Sequence, residues 1–265
     1  MAKIAPFRVM NVMDQASAIE ARGEKVVHME VGEPDFTTAQ PILDAAKNAL
    51  NNGKIQYTLA PGISELREKV AEHYFQKYGI KISRERILIT PGASGGLTLL
   101  ANMLISPGDG ILIPDPAYPC LRNFVQMLSA EPQLIPVERD QNFQPNLTQI
   151  AQSARKNTVG IWLASPSNPT GTALRRDELA QISQWTDLNG LHLLMDEIYH
   201  GLQYVADVPS ILEVYDNAFL VSSFSKYFGM TGWRLGWIIV PEGYVETAKM
   251  LAQNLFISAS SIAQF

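Results

Sequence analysis

Ser222-Ser-Phe-Ser-Lys226-Tyr-Phe-Gly-Met-Thr-Gly-Trp-Arg234-Leu-Gly-Trp237 follows directly on the apolar run at residues 218–221. A lysine delivered by a strand-like run into small hydroxyl residues and glycines is not placed like a solvated surface charge. Phe224, Tyr227, Phe228 and Trp233 flank Lys226, so its ammonium is expected to lose solvent, which lowers its pKa and frees a nucleophilic amine. Arg234 is a nearby cation that pushes the same way, and with Ser223 it supplies donors able to hold a phosphate.

An amine that can form a Schiff base beside a phosphate anchor is what pyridoxal phosphate requires. The pattern Ser-x-Ser-Lys-x-x-Gly-x-x-Gly-x-Arg-x-Gly, beginning at Ser223, resembles the cofactor-lysine signature of the class I/II aminotransferases, fold type I of the pyridoxal-phosphate enzymes (the aspartate aminotransferase superfamily). Companion motifs from Gly32 to Arg234 stand in that family's order, so the resemblance covers nearly the whole chain.

The 265 residues carry 46% hydrophobic side chains and a formal net charge of −5, with both signs mixed along the sequence. That composition builds a sizeable core and argues against a nucleic-acid or membrane surface as partner. The single cysteine, Cys120, has no internal disulfide partner and fits a reducing compartment. No run approaches the ~18 apolar residues of a membrane helix, and the amino terminus lacks a signal-peptide pattern. A soluble cytoplasmic protein is expected.

Outward from the lysine, short apolar runs alternate with helical stretches: 87–90, 111–114, 133–137, 159–164, 191–195 and 218–221, with 236–240 as one further strand. Alternation of this kind predicts crossover connections and an α/β fold, a mainly parallel sheet sandwiched by helices. Upstream, Val9, Met10, Met13, Ala16 and Ile19 predict an amphipathic arm over 5–22, and residues 26–31 a short strand. Helices are predicted over 41–51, 63–78, 97–104 and 244–255. The resemblance assigns 1–40 to an N-terminal arm and substrate mouth and 41–265 to the large cofactor-binding domain. It also implies a small carboxy-terminal domain absent from this chain, because the stretch ending at Phe265 has no helix stop signal.

Each remaining motif has a plain reading beside the one the resemblance implies. Thr90-Pro-Gly-Ala-Ser-Gly-Gly96 joins a strand to a helix and aims backbone amides at an anion; the resemblance gives the cofactor phosphate to Gly92, Ala93 and Ser94. Tyr118, after the next strand, is a core tyrosine by default and the ring-stacking residue by resemblance. Asn168, in Ser165-Pro-Ser-Asn-Pro-Thr-Gly171, reads as a turn residue, and by resemblance donates to the cofactor's phenolic oxygen and borders the substrate. Asp196 ends a buried strand, a costly place for a carboxylate without a positive partner; a protonated pyridine nitrogen is such a partner. Tyr199 joins Asn168 at the phenolic oxygen. Glu197 and His200 are structural or solvent-facing and receive no role. Gly32 punctuates a turn, and by resemblance its backbone lies at the substrate mouth. Tyr57 is either a loop aromatic or, as the resemblance implies, a residue reaching the cofactor phosphate from the partner subunit of a homodimer.

The expected function is transamination between an amino acid and a 2-oxo acid through a Schiff base on Lys226, with no metal, nucleic acid or membrane involved. β-Elimination by a carbon–sulfur lyase of the same fold uses the same residues, and a non-catalytic, truncated aminotransferase-like module is the reading from another class.

Overall fold

A computed structural model of the chain describes residues 4–204 and 208–265. Seven strands form one sheet: β1 Ile87–Thr90, β2 Gly110–Asp115, β3 Glu131–Pro136, β4 Thr158–Ala164, β5 His192–Asp196, β6 Phe219–Ser223 and β7 Gly236–Ile239. Their spatial order is β1-β7-β6-β5-β4-β2-β3. Strands β3, β2, β4, β5 and β6 pair in parallel, and β7 runs antiparallel to both β6 and β1. The predicted mainly parallel sheet is what the chain forms.

Side-chain alternation splits the core in two. Ile161, Leu163, Leu193, Met195 and Leu220 face one cluster, whereas Trp162, Leu194, Phe219 and Val221 face the other. This period of two explains why the strands read as continuous apolar runs: both faces are covered. The helices Ser64–Tyr78 (α1), Leu147–Ser153 (α2) and Arg176–Leu188 (α3) cover the first face with residues such as Val70, Ile150 and Ile182. The second is covered by Gly92–Leu104 (α4), Cys120–Met127 (α5) and Val245–Leu255 (α6), with Leu97, Leu100, Val125 and Ala248. Burying each leucine or isoleucine contributes about 1.5–3 kcal/mol. At Gly96 a Cβ would meet Ile238 Cγ2 at 2.7 Å and Val221 Cγ2 at 2.9 Å, so α4 lies against the sheet at a distance only glycine permits.

Two expectations are corrected. Residues 26–31 form no strand: Val27 and Met29 are 85% and 87% exposed, and they pair with no strand among the described residues. An alternating apolar run becomes a strand only where a sheet edge accepts its backbone groups. The second is the start of α4 at Gly92 rather than residue 97. Five residues read as a glycine loop are the helix's opening turns, held by packing that overrides glycine's poor helix propensity. The arm helix, Arg8–Glu20, and the helix Gln40–Asn51 fall where expected.

Because β1 and β6 are both antiparallel to β7, β1 runs in the same direction as the parallel strands. Thr90, Asp115, Ala164, Asp196 and Ser223, the last residues of β1, β2, β4, β5 and β6, therefore lie on one side, and open α/β sheets bind ligands outside that edge.

Candidate active site

A cavity of about 830 Å³ opens at this edge. Gly32, Ala93, Ser94, Tyr118, Asn168, Asp196, Tyr199, Lys226 and Arg234 all line it, so one site gathers residues from the loop at Gly32 through the segment after β6. Lys226 sits three residues past the end of β6. Desolvation lowers its pKa, the charge of Arg234 adds to the effect, and Glu33 opposes it. Its Nζ donates to the carbonyl of Gly32 at 2.5 Å.

Arg234 adopts a left-handed backbone, φ 53°, and donates from Nη1 to Thr231 O at 3.0 Å. Among the described residues no carboxylate pairs with it. Its guanidinium lies over the amino end of α4, where Pro91 provides no side-chain cap. Gly92 has φ +68°, and a Cβ there would meet Arg234 Nη2 at 2.6 Å. Uncapped amides, the helix dipole and a free guanidinium form an anion cradle of the kind that holds a phosphate.

At the end of β5, Asp196 is 6% exposed. One oxygen accepts from the Ile198 amide at 3.0 Å, and no cation among the described residues lies in ion-pair range. Burial therefore pushes its carboxyl up to about 6. A buried carboxylate with one donor is a receptor for a cationic ring nitrogen. Asn168 Nδ2 donates to the Tyr199 hydroxyl at 3.0 Å, joining the segments that follow β4 and β5. Tyr118 meets Phe7 of the arm edge to face, with centroids 5.9 Å apart.

The structure separates three nominated residues from the cavity wall. Gly92 stands behind the lining, where its lack of a side chain makes room for Arg234. Ser223 is buried, with its hydroxyl bonded to Leu235 O at 2.9 Å and to the Ser225 hydroxyl at 2.9 Å. The cavity-lining serine of that turn is Ser225, the other serine of the Ser-Phe-Ser run. Tyr57 is 80% exposed and does not line this chain's cavity. Glu197 and His200, given no role from sequence and read in part as solvent-facing, stand behind the site with side chains only 2% and 7% exposed. The only signal for them was position: charged residues directly after a buried strand, before the chain reaches solvent.

The donor set fits pyridoxal phosphate: an amine without a carboxylate partner, an orphan buried carboxylate, an anion cradle and a pair of hydroxyl and amide donors in one cavity. Site and fold define a pyridoxal-phosphate enzyme of fold type I. The family model of aminotransferase class I and II matches residues 24–265. The chain is 38% identical to the (5-formylfuran-3-yl)methyl phosphate transaminase of Methanocaldococcus jannaschii, covering 98% of this chain and 68% of that protein. It is 36% identical to a valine–pyruvate aminotransferase of Mycobacterium tuberculosis, covering 99% and 68%. Among solved structures, an aminotransferase from Mycobacterium tuberculosis superposes with a TM-score of 0.95 at 35% identity, covering 99% of this chain and 68% of that one. The aspartate aminotransferase from Thermus thermophilus with maleate gives 0.94 at 27%, covering 98% and 69%. The chain belongs to the class I and II aminotransferases, pyridoxal-phosphate-dependent enzymes that move an amino group between an amino acid and a 2-oxo acid.

Proposed function

We propose that Lys226 is the residue that binds the cofactor covalently and moves the proton in transamination. The observation carrying this reading is that the desolvated Lys226 amine shares one cavity with the orphan Asp196 carboxylate and the cradle at Arg234 and α4. When bound, pyridoxal phosphate supplies an aldehyde and an electron-withdrawing ring that stabilises charge at the substrate's α-carbon.

With the cofactor bound, Asp196 would pair with a protonated ring nitrogen and so keep the ring electron-withdrawing. Asn168 and Tyr199 would present an N–H and an O–H to the phenolic oxygen, Tyr118 would stack on the ring, and Ala93, Ser94 and Arg234 would hold the phosphate. Gly92 takes part in that cradle by leaving the space Arg234 fills. Lys226 Nζ would serve as the base that takes the substrate's α-proton and carries it to the cofactor's aldehyde carbon. Gly32 and Asn168 border the substrate. The arm and mouth, residues 1–40, serve the cofactor-binding domain, 41–265, through Phe7 against Tyr118 and Gly32 against Lys226.

The same reading places the protein in the cytoplasm as a homodimer. Ile55, Tyr57 and Leu59 are 65%, 80% and 76% exposed, an apolar run that a second copy would cover, bringing Tyr57 of one protomer to the phosphate of the other. Cys120 is a free thiol, as a reducing compartment allows. Among the described residues no helix is long and apolar enough to cross a membrane.

The test is a panel of amino acids read by the cofactor's absorbance and by 2-oxo acid formed. Pyruvate released from cystathionine without an added oxo acid would overturn transamination in favour of β-elimination.

A further inference from the structure

Behind the cavity, His200 and Tyr78, which the proposed chemistry does not use, form a part-buried hydrogen-bonded chain with Ser165. His200 follows Tyr199 directly, and its Nε2 bonds the carbonyl of Ser165 at 2.9 Å. Its Nδ1 meets the Tyr78 hydroxyl at 2.5 Å. The roles of these atoms follow from valence. A carbonyl only accepts, so Nε2 carries the proton. Burial pushes His200 down to about 4, so the ring is neutral, Nδ1 is an acceptor and Tyr78 donates to it. Burial raises the Tyr78 phenol and keeps that donor protonated.

Glu197 does not compete for the ring. Its carboxyl accepts from the Ser210 hydroxyl at 3.1 and 2.9 Å and from the Ile211 amide at 2.7 Å. It stands 3.8 Å from Nδ1, and with His200 neutral the two make no ion pair.

We infer that His200 is a positioning residue: its bond to Ser165 ties the end of β4 to the turn after β5, and so sets the distance between Asn168 and Tyr199. The geometry is that of a clamp with two jaws. On the cavity side Asn168 meets Tyr199 at 3.0 Å; on the buried side Ser165, three residues before Asn168, meets His200, one residue after Tyr199. Every polar atom of Ser165 is engaged, because its amide donates to Asp196 O at 3.1 Å and its hydroxyl accepts from the Leu174 amide at 3.0 Å. A displaced Ser165 carbonyl therefore moves the turn carrying Asn168 with it. Tyr78 anchors the clamp to α1 and selects the tautomer.

The inference rests on the proposed placing of Asn168 and Tyr199 at the cofactor's phenolic oxygen. Donors to that oxygen draw charge away from it and make the lysine–cofactor linkage easier to deprotonate, so losing them raises its pH midpoint. The experiment is a pH titration of the visible band of the holoenzyme in His200→Phe, His200→Gln, Tyr78→Phe, Tyr199→Phe and the double variant His200→Phe/Tyr199→Phe. His200→Phe keeps an aromatic ring but deletes the donor, and the midpoint is expected to rise by about half a unit to one unit. His200→Gln retains an N–H at similar reach and is expected near the parent value, and the double variant at the value of Tyr199→Phe alone.

A fall in melting temperature with an unmoved midpoint in His200→Phe would overturn the inference and leave His200 a packing residue. An unmoved midpoint in Tyr199→Phe would overturn the placing of the pair itself, and the inference with it. If His200→Phe does not accumulate as folded protein, Tyr78→Phe and His200→Gln decide: a displaced midpoint in Tyr78→Phe with a normal one in His200→Gln supports the clamp, and any other combination rejects it.

Discussion

Lys226 Nζ donates to the carbonyl oxygen of Gly32 across 2.5 Å, although the two residues stand 194 positions apart. The bond holds the amine at the cavity mouth and ties the loop after the arm to the segment after β6. Since Gly32 contributes only backbone, the contact survives side-chain changes at its own position and depends on the path of the loop.

Lys226→Ala is expected to abolish the borohydride-stable cofactor adduct and to lower turnover by at least ~10²-fold, the loss of a general base. Peptide mapping after reduction checks it. A label on another lysine would reject the assignment.

Asp196→Ala is expected to retain cofactor through Lys226 and the phosphate cradle while turnover drops severely, because nothing then holds a proton on the ring nitrogen. Cofactor content and single-turnover rates separate the two effects. Turnover equal to that of the parent would make Asp196 a structural carboxylate only.

Gly92→Ala places a methyl 2.6 Å from Arg234 Nη2 on a residue with φ +68°. The left-handed backbone costs about 1–2 kcal/mol for a residue with a Cβ, and Arg234 must move from the cradle. The concentration of cofactor needed for half saturation is expected to rise by roughly tenfold or more, each factor of ten being about 1.4 kcal/mol. Equilibrium dialysis measures it, and unchanged affinity would place the phosphate elsewhere.

Glu197 is pushed up to about 8 by burial, from an ordinary 4.5. The folded state thus holds a proton that the unfolded chain releases, and the sign follows: this group's contribution to stability is undiminished below about pH 4.5 and is lost as pH rises toward 8. Glu197→Gln carries no titrating group, so its stability relative to the parent is expected to improve from pH 5 to pH 8. Urea unfolding of the cofactor-free protein at both values checks this. Subtracting the parent removes the contributions of Asp196 and His200, and a difference that does not change with pH would reject the shift.

Much of this protein was legible in the chain because its chemistry is local in sequence. The strands announced themselves as short apolar runs, since both sheet faces are buried, and Lys226, Asp196, Asn168 and Tyr118 each lie at or just beyond a strand's carboxyl end, where a motif and its chemistry coincide. What stayed hidden depended on neighbours brought from afar. Residues 26–31 looked like a strand, but β-structure needs a partner edge that sequence pattern does not supply. Gly92–Gly96 looked like a loop, but the stretch opens a helix whose Gly96 lies against Ile238 and Val221. Ser223 and Ser225 are equivalent as letters, and only the direction of the chain leaving β6 turned one inward and the other to the cavity. Glu197 and His200 were charged or polar letters without a role until Ser210, Tyr78 and Ser165 closed around them. Sequence by itself determined the element types and the residues with reactive chemistry, because these follow from short-range patterning and functional groups. Tertiary structure alone decided burial, and burial sets both the pKa of a titratable group and which of its atoms is free to act.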